Sequence, residues 1–394
     1  MQRESALLVE TKMMRAARVS ECDTHFEKGP VGQRNGIGSI MVKCDTTETT
    51  LAMSDAQPND YFFEGAEKLL ELWFEADDET CSLRNIERDK IKAILSIVNC
   101  RILHAMSNEH QDSYVLCQSS LFVSARRVIL KTCGTTCLLA GLPHLIQAAA
   151  LHGLRVETMF YSRKNWDRTQ LQPELHRSFD TELAFLDKLF KDSSAYCMGS
   201  LKSDRWYLYT GSSTSRRALP FPDRTLELMM IGLSDAACNL YTQAVCRDGR
   251  EAFKRGRLDR LVPSDAQIDD ELFEPYATVH ITPEAAFSYA SFETNQRSGC
   301  LYSLALRALN CFHPAAAQIT VIANKLAAER AIDGSGWRRP PPGYRRADFQ
   351  VVHTDDDDYV IIYLRLERTS PSAVVPPVKS SSEASEPSPA SNPK

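Results

Sequence analysis

The chain has 394 residues, 43% hydrophobic and 25% charged, ordinary values for a globular protein able to bury a sizeable core. Its 46 basic and 51 acidic residues leave a net charge of -5, so it has no basic field to hold nucleic acid or an anionic membrane. No apolar run of about 18 residues exists to span a bilayer, and the 12 cysteines lack the close paired spacing of a zinc site. The nearest pair, Cys133 and Cys137, is spaced for one face of a helix. A soluble cytoplasmic protein with reduced thiols and a small-molecule or protein partner is expected.

The first 60 residues carry both signs of charge, no sustained periodicity and no signal-peptide core. They are expected to be an unfolded extension, or sequence upstream of a start at Met53. Glu4, Glu10, Glu21 and Asp23 argue against a mitochondrial presequence. The folded part is expected over 61–369, opening at Tyr61 to Phe74. Read as a helix after Gly65, this stretch places Glu67, Lys68 and Glu71 on one side, with Glu64 just before it. Such a charged stripe is ordinarily a solvated face, although three carboxylates could also enter a polar site.

Next, Tyr114 to Ser124 brackets Ser119 and Ser120 with apolar runs, and Arg127-Val128-Ile129-Leu130-Lys131 follows. Cys133 stands fourteen residues after Ser119. The pattern is strand, turn, strand. Hydroxyls and thiols at such positions mostly bond local backbone, which is the reading these residues carry alone, but a scaffold can also hold a nucleophile there.

Cys137 to Leu151 reads as a largely buried helix with a kink at Pro143. Glu157 to Ser162 is extended, Asp180 to Phe190 helical, Trp206 to Thr210 a strand, and Thr225 to Met230 a strand or short helix. Period-two alternation predicts neighbouring antiparallel strands over Ala277 to Thr282 and Phe287 to Phe292. A helix over Leu301 to Phe312, a strand over Gln318 to Ile322, a loop over Arg338 to Gly343 and a strand over Tyr359 to Leu364 complete the folded part. The strand, strand, helix order of both halves hints at a duplicated unit, without a convincing residue repeat. The Ser- and Pro-rich segment 370–394 is expected to be an unfolded tail.

Six motifs stand in order: Phe62-Phe63-Glu64-Gly65-Ala66-Glu67-Lys68, Ser119-Ser120-Leu121-Phe122-Val123-Ser124, Lys131-Thr132-Cys133-Gly134-Thr135-Thr136, Phe160-Tyr161-Ser162-Arg163-Lys164-Asn165, His280-Ile281-Thr282-Pro283-Glu284 and Ser291-Phe292-Glu293-Thr294-Asn295. Together they resemble eukaryotic S-adenosylmethionine decarboxylase, a pyruvoyl enzyme of polyamine synthesis, from Tyr61 to Leu366.

The resemblance implies an α+β protein, a four-layer α/β/β/α sandwich with two large antiparallel sheets. It implies a proenzyme that cuts itself between Gln118 and Ser119, leaving a small β chain ending at 118 and an α chain starting at 119. Ser119 becomes a pyruvoyl group whose carbonyl forms a Schiff base with the substrate amine and drains electrons as CO2 leaves, so no metal or external cofactor is implied. By the same matching, Cys133 is the proton donor to product and His280 takes a proton during processing. Glu64 and Glu67 are acidic residues of the active site. Phe63 and Phe273 sandwich the adenine, Leu116 gives a backbone contact, and Glu284 binds the ribose. Glu71, Asp223, Thr225, Glu227 and Glu293 match the putrescine site of animal members, where carboxylates would bind an activating diamine. The product would feed spermidine and spermine synthesis in the cytoplasm, and the implied assembly is a homodimer of cleaved protomers.

Without the family, His280 reads as a core-facing strand histidine, Cys133 as a small buried apolar residue, and the carboxylates as ordinary surface or loop charges. Two departures stand out. Gln118 replaces the family's glutamate before the cut. Between Phe273 and His280 the chain is shorter than the family and lacks a Cys-Gly-Tyr-Ser segment whose serine assists processing and protonation. Three readings follow: a true decarboxylase, which is preferred; a processing-defective paralogue or isoform that regulates an active decarboxylase; and an unrelated hydrolase with Cys133 as nucleophile.

Overall fold

Short runs of branched aliphatic and aromatic residues make strands the commonest regular structure among the described residues. The computed structural model describes residues 39–44, 65–76, 78–212, 219, 221–242, 245–246, 249–261, 275–284, 287–296, 299–332, 336–355 and 358–369. The first half contains β1 (Ser39–Cys44), β2 (Lys68–Ala76), α1 (Arg88–Ile97), β3 (Ile102–Ser107), β4 (Gln111–Leu116), β5 (Ser119–Ser124), β6 (Arg127–Thr132), α2 (Leu142–Ala150), β7 (Leu154–Lys164), α3 (Phe179–Leu186) and β8 (Asp192–Met198). The second contains β9 (Trp206–Ser212), β10 (Arg224–Ile231), α4 (Asp235–Leu240), α5 (Gly249–Arg255), β11 (Tyr276–Thr282), β12 (Tyr289–Thr294), α6 (Leu301–Phe312), β13 (Ala316–Asn324), α7 (Lys325–Ile332), β14 (Tyr344–His353) and β15 (Tyr359–Arg368).

Two sheets result. One runs β1-β11-β12-β10-β13-β15-β14, the other β3-β4-β5-β6-β2-β7-β9-β8. Among the described residues every pairing is antiparallel except β1 with β11, which is parallel and aligns Lys43 with His280. β1 thus lies within the span expected as an extension.

Period-two alternation sorts the side chains into layers. From β10, β11 and β12, Leu226, Leu228, Val279, Ile281, Ala290 and Phe292 pack under α4, α5 and α6. From β2, β5 and β6, Leu70, Leu72, Leu121, Val128 and Leu130 pack under α1, α2 and α3. Between the sheets, Trp73, Phe160, Met229, Tyr289, Ile361 and Tyr363 form one apolar cluster, and Leu69, Phe122, Ile129 and Tyr276 another. This is the four-layer α/β/β/α sandwich expected from the resemblance. At Gly65 the approach is tight: a Cβ there would lie 3.0 Å from Thr282 Oγ1 and 3.1 Å from Tyr289 Cβ.

Three local readings are corrected. The stretch after Gly65 is strand β2, whose first seven residues are buried. A central strand covered on both faces is apolar in both phases, which mimics a helix. Cys133 lies in the turn after β6 and Cys137 just before a short 3-10 turn, so they share no helix face. Pro143 sits in the first turn of α2, where its missing N–H costs nothing, and makes no kink. The period-two pair β11 and β12 is borne out as antiparallel neighbours, with His280 opposite Ser291. α6 has the expected bounds.

Candidate active site

The two-residue turn Cys117-Gln118 joins β4 to β5 and pairs Leu116 with Ser119. Ser119 adopts φ 114°, a left-handed conformation unusual for a residue with a Cβ. Holding it costs about 1–3 kcal/mol, which the surrounding contacts must supply. Its hydroxyl donates to Glu67 Oε1 at 2.5 Å. The carbonyl of Gln118 accepts the backbone N–H of Cys133 at 3.3 Å. Cys133 Sγ lies 4.0 Å from His280 Nε2, while His280 Nδ1 lies 3.3 Å from Glu67 Oε1. The hydroxyl of Ser291, opposite His280 on β12, donates to the second oxygen of Glu67. Ser119, Glu67 and Cys133 come from one sheet, His280 and Ser291 from the other.

A buried charge cluster adjoins this group. Lys131 Nζ lies 2.7 Å from Glu293 Oε2, 3.3 Å from Glu67 Oε2 and 3.8 Å from Glu227 Oε1. Arg127 Nη2 lies 2.7 Å from Glu71 Oε1, with its guanidinium 4.6 Å over the ring of Trp73 and 5.4 Å over that of Tyr276. The Tyr276 hydroxyl donates to Glu293 at 2.5 Å, and the Trp73 indole N–H to Glu71 at 2.7 Å.

These contacts divide the carboxylates. Burial pushes Glu67 up, but Lys131, then His280 and the hydrogen bonds from His280 and Ser119 outweigh it and hold it well below the usual range. Burial likewise pulls Lys131 down, and Glu293, Glu67 and Glu227 reverse this. Burial drives Glu71 up to about 7 against Arg127, with Asp223 and Glu293 adding to the rise. Burial also drives Glu227 up to about 7 against Lys131, with Glu293 and Glu67 adding. This cluster holds more acid than Lys131 and Arg127 neutralise.

The Adenosylmethionine decarboxylase family model matches residues 60–367. The chain is 48% identical over 330 residues to an S-adenosylmethionine decarboxylase proenzyme of Caenorhabditis elegans, covering 77% of this chain and 88% of that protein. The chain belongs to the adenosylmethionine decarboxylase family. Its proenzyme relatives include those of Onchocerca volvulus, 39% identical over 82% of this chain and 93% of the relative, and Drosophila melanogaster, 38% identical over 75% and 96%. A solved structure, the Trypanosoma brucei AdoMetDC-delta26 monomer, aligns with TM-score 0.44 at 21% identity, covering 64% of this chain and 99% of that one.

Within this decarboxylase family member, the residues expected to act together fall as follows. Ser119, Gln118, Glu67, Cys133 and His280 converge. Leu116 is buried beside them in β4. Glu71, Glu227 and Glu293 line the charge cluster, while Thr225 shares the inter-sheet side of β10 with Glu227 and Met229. Asp223 is buried just before β10, near enough to raise Glu71. Glu284 follows β11, half-buried, with its carbonyl accepting the N–H of Phe287 at 3.0 Å. Phe63, Glu64 and Phe273 lie outside the described residues. Ser291, Lys131, Arg127 and Tyr276 were not singled out from the sequence as site residues. Lys131 carried a signal: a lone charge ending the apolar run Val128-Ile129-Leu130. Among the described residues, no group of three or more His, Cys, Asp or Glu could hold a metal, and no helix is long and apolar enough to cross a membrane.

Proposed function

We propose that this chain decarboxylates S-adenosylmethionine with a pyruvoyl group made from its own Ser119. The observation carrying this reading is Ser119 itself, strained at φ 114°, its hydroxyl on a carboxylate and its preceding carbonyl on the Cys133 N–H. Those contacts fit a residue that reacts with its own backbone.

In the processing step, Ser119 Oγ attacks the carbonyl carbon of Gln118. The C–N bond breaks, the nitrogen leaves as the amine of residue 119, and an ester joins Gln118 to Oγ. Loss of the Cα proton of residue 119 then expels Gln118 as a carboxylate, and uptake of water with release of ammonia leaves the pyruvoyl end. The Cys133 N–H faces the oxygen on which negative charge develops. Glu67, held ionised, orients the hydroxyl through a charge-assisted bond. His280, between Glu67 and Cys133, is placed to take a proton.

Once formed, the pyruvoyl group supplies an electron sink for decarboxylation. Cys133 is the proton donor to the product carbon, and Glu67 suits the positive sulfonium of the substrate. The acidic cluster favours a diamine such as putrescine, whose two charges would balance Glu71, Asp223, Glu227 and Glu293. Ten cysteines, from Cys81 to Cys311, are free thiols, in keeping with a cytoplasmic polyamine enzyme.

The test is the purified full chain on a denaturing gel, with CO2 release from carboxyl-labelled substrate. Two chains parted between 118 and 119, the larger with a blocked terminus, and labelled CO2 are expected. One intact chain without CO2 release overturns the reading. Adding that intact chain to an active relative then tests the regulatory role.

A further inference from the structure

Lys68 has no part in the chemistry above, yet it is fully buried. It opens β2 on the face of Leu70, Leu72 and Phe74, turned to the helices, whereas Leu69 and Trp73 face the other sheet. An ammonium taken out of water costs several kcal/mol unless its charge is met. Among the described residues Lys68 forms no ion pair with a carboxylate. Its hydrogen bond goes to the carbonyl of Gly134 at 3.0 Å, and its ammonium sits 4.9 Å over the Trp166 ring.

That carbonyl belongs to the residue after Cys133. Gly134 is at φ 60°, a left-handed turn that glycine adopts freely. The same turn is held by the Thr136 hydroxyl, which donates to the Cys133 carbonyl at 2.8 Å, and by the Cys133 N–H on Gln118. Of these three ties, the one from Lys68 is charged.

Behind Lys68 stands a rigid buried network. The Arg163 guanidinium also lies 4.9 Å from the Trp166 ring, and the Trp166 indole donates to the carbonyl of His176 at 2.7 Å. Arg163 Nε donates to both oxygens of Glu182, at 2.8 and 3.0 Å. Glu182 also accepts the Tyr161 hydroxyl at 2.6 Å and lies 2.7 Å from His176 Nδ1. Satisfied networks of this kind fix their members. Burial pulls Lys68 down to about 8, while Cys133 and Glu182 oppose it, so the ammonium keeps its proton at pH 7.

Resting on the decarboxylase reading, we propose that Lys68 is a positioning residue for Cys133. Its ammonium, seated on Trp166, holds the Gly134 carbonyl and thereby aims the Cys133 N–H at Gln118 and the thiol at His280. Its charge also favours the sulfur anion left when the thiol gives its proton to product.

The test compares full-length wild type with Lys68→Met, close in shape but uncharged. Self-cleavage rate, Tm, and kcat per titrated pyruvoyl group are measured, together with KM. Cleavage and kcat per group are expected to fall on the order of 10-fold to 100-fold, with KM within about twofold. In Lys68→Ala, ethylammonium in the buffer is expected to restore cleavage saturably, whereas tetramethylammonium is not. A purely structural role would lower Tm and yield but leave kcat per group unchanged, and that result overturns the proposal. Wild-type cleavage and kcat in Lys68→Met overturn it too, as does failure of both variants to fold. An uncut, inactive wild type instead removes the decarboxylase reading beneath it.

Discussion

Cys133 touches Gln118 through its backbone N–H at 3.3 Å and His280 through its sulfur at 4.0 Å. In the proposed reaction, one residue therefore serves two steps by two different groups. Cys133→Ser keeps the N–H and replaces the thiol with a much weaker acid. Cleavage, followed on a denaturing gel, is expected to stay within about threefold of wild type, while CO2 turnover per pyruvoyl group falls by on the order of 100-fold or more. Equal losses in both would mean that the side chain, not the backbone, supports the cut.

Glu67 accepts from Ser119 and Ser291 and lies beside His280 and Lys131. Glu67→Gln keeps the shape and removes the charge. The gel time course is expected to slow by on the order of 100-fold, because a neutral amide orients the hydroxyl poorly and no longer offsets positive charge on His280. Unchanged cleavage would remove Glu67 from the processing machinery.

Glu71 and Glu227 are both raised to about 7 by burial against opposing cations. Since folding raises these pKa values from an unfolded value of 4.5, the folded state binds more protons between about pH 4.5 and 7. Stability tied to these groups is therefore whole below the unfolded value and lost as pH rises through about 7. A diamine dication reverses the loss by favouring the ionised forms. Putrescine is expected to raise Tm more at pH 8 than at pH 6, with proton release on binding in calorimetry. A Tm increment independent of pH would exclude these two carboxylates as its partners.

β1 pairs along β11, the strand carrying His280, from residues outside the family match of 60–367. Without it the backbone groups of β11 form an open edge. A chain starting at Met53 is expected to melt lower, by on the order of 5 °C, to self-associate, and to cut more slowly. Unchanged melting, by calorimetry, and unchanged cutting would show that β11 needs no cover there.

Much of this was legible in the sequence. β11, β12 and α6 announce themselves by clean periods of two and 3.6, since each has one face on the core and one with a different duty. β2 did not, because Leu69 and Leu70 are buried on opposite faces. The group around Ser119 was legible only through the family motifs: Lys131 and Glu293 stand 162 residues apart, and nothing local to either predicts their contact. Ser291 was visible as part of a motif, but its bond to Glu67 depends on register between strands and sheets. The Gly134 turn likewise hid Lys68, whose neighbours in sequence point the other way.

The sandwich carries Ser119 and Cys133 on one wall and His280 on the other. On the proposed chemistry, the width of the gap between the sheets is therefore a kinetic variable. A ligand that draws the walls together, or repulsion that parts them, changes the reach from Ser119 and Cys133 to His280 without touching any of the three. On the proposed chemistry, reaction rate in such a protein reports on interior spacing, and the acid between the walls is a place where a cation would change it.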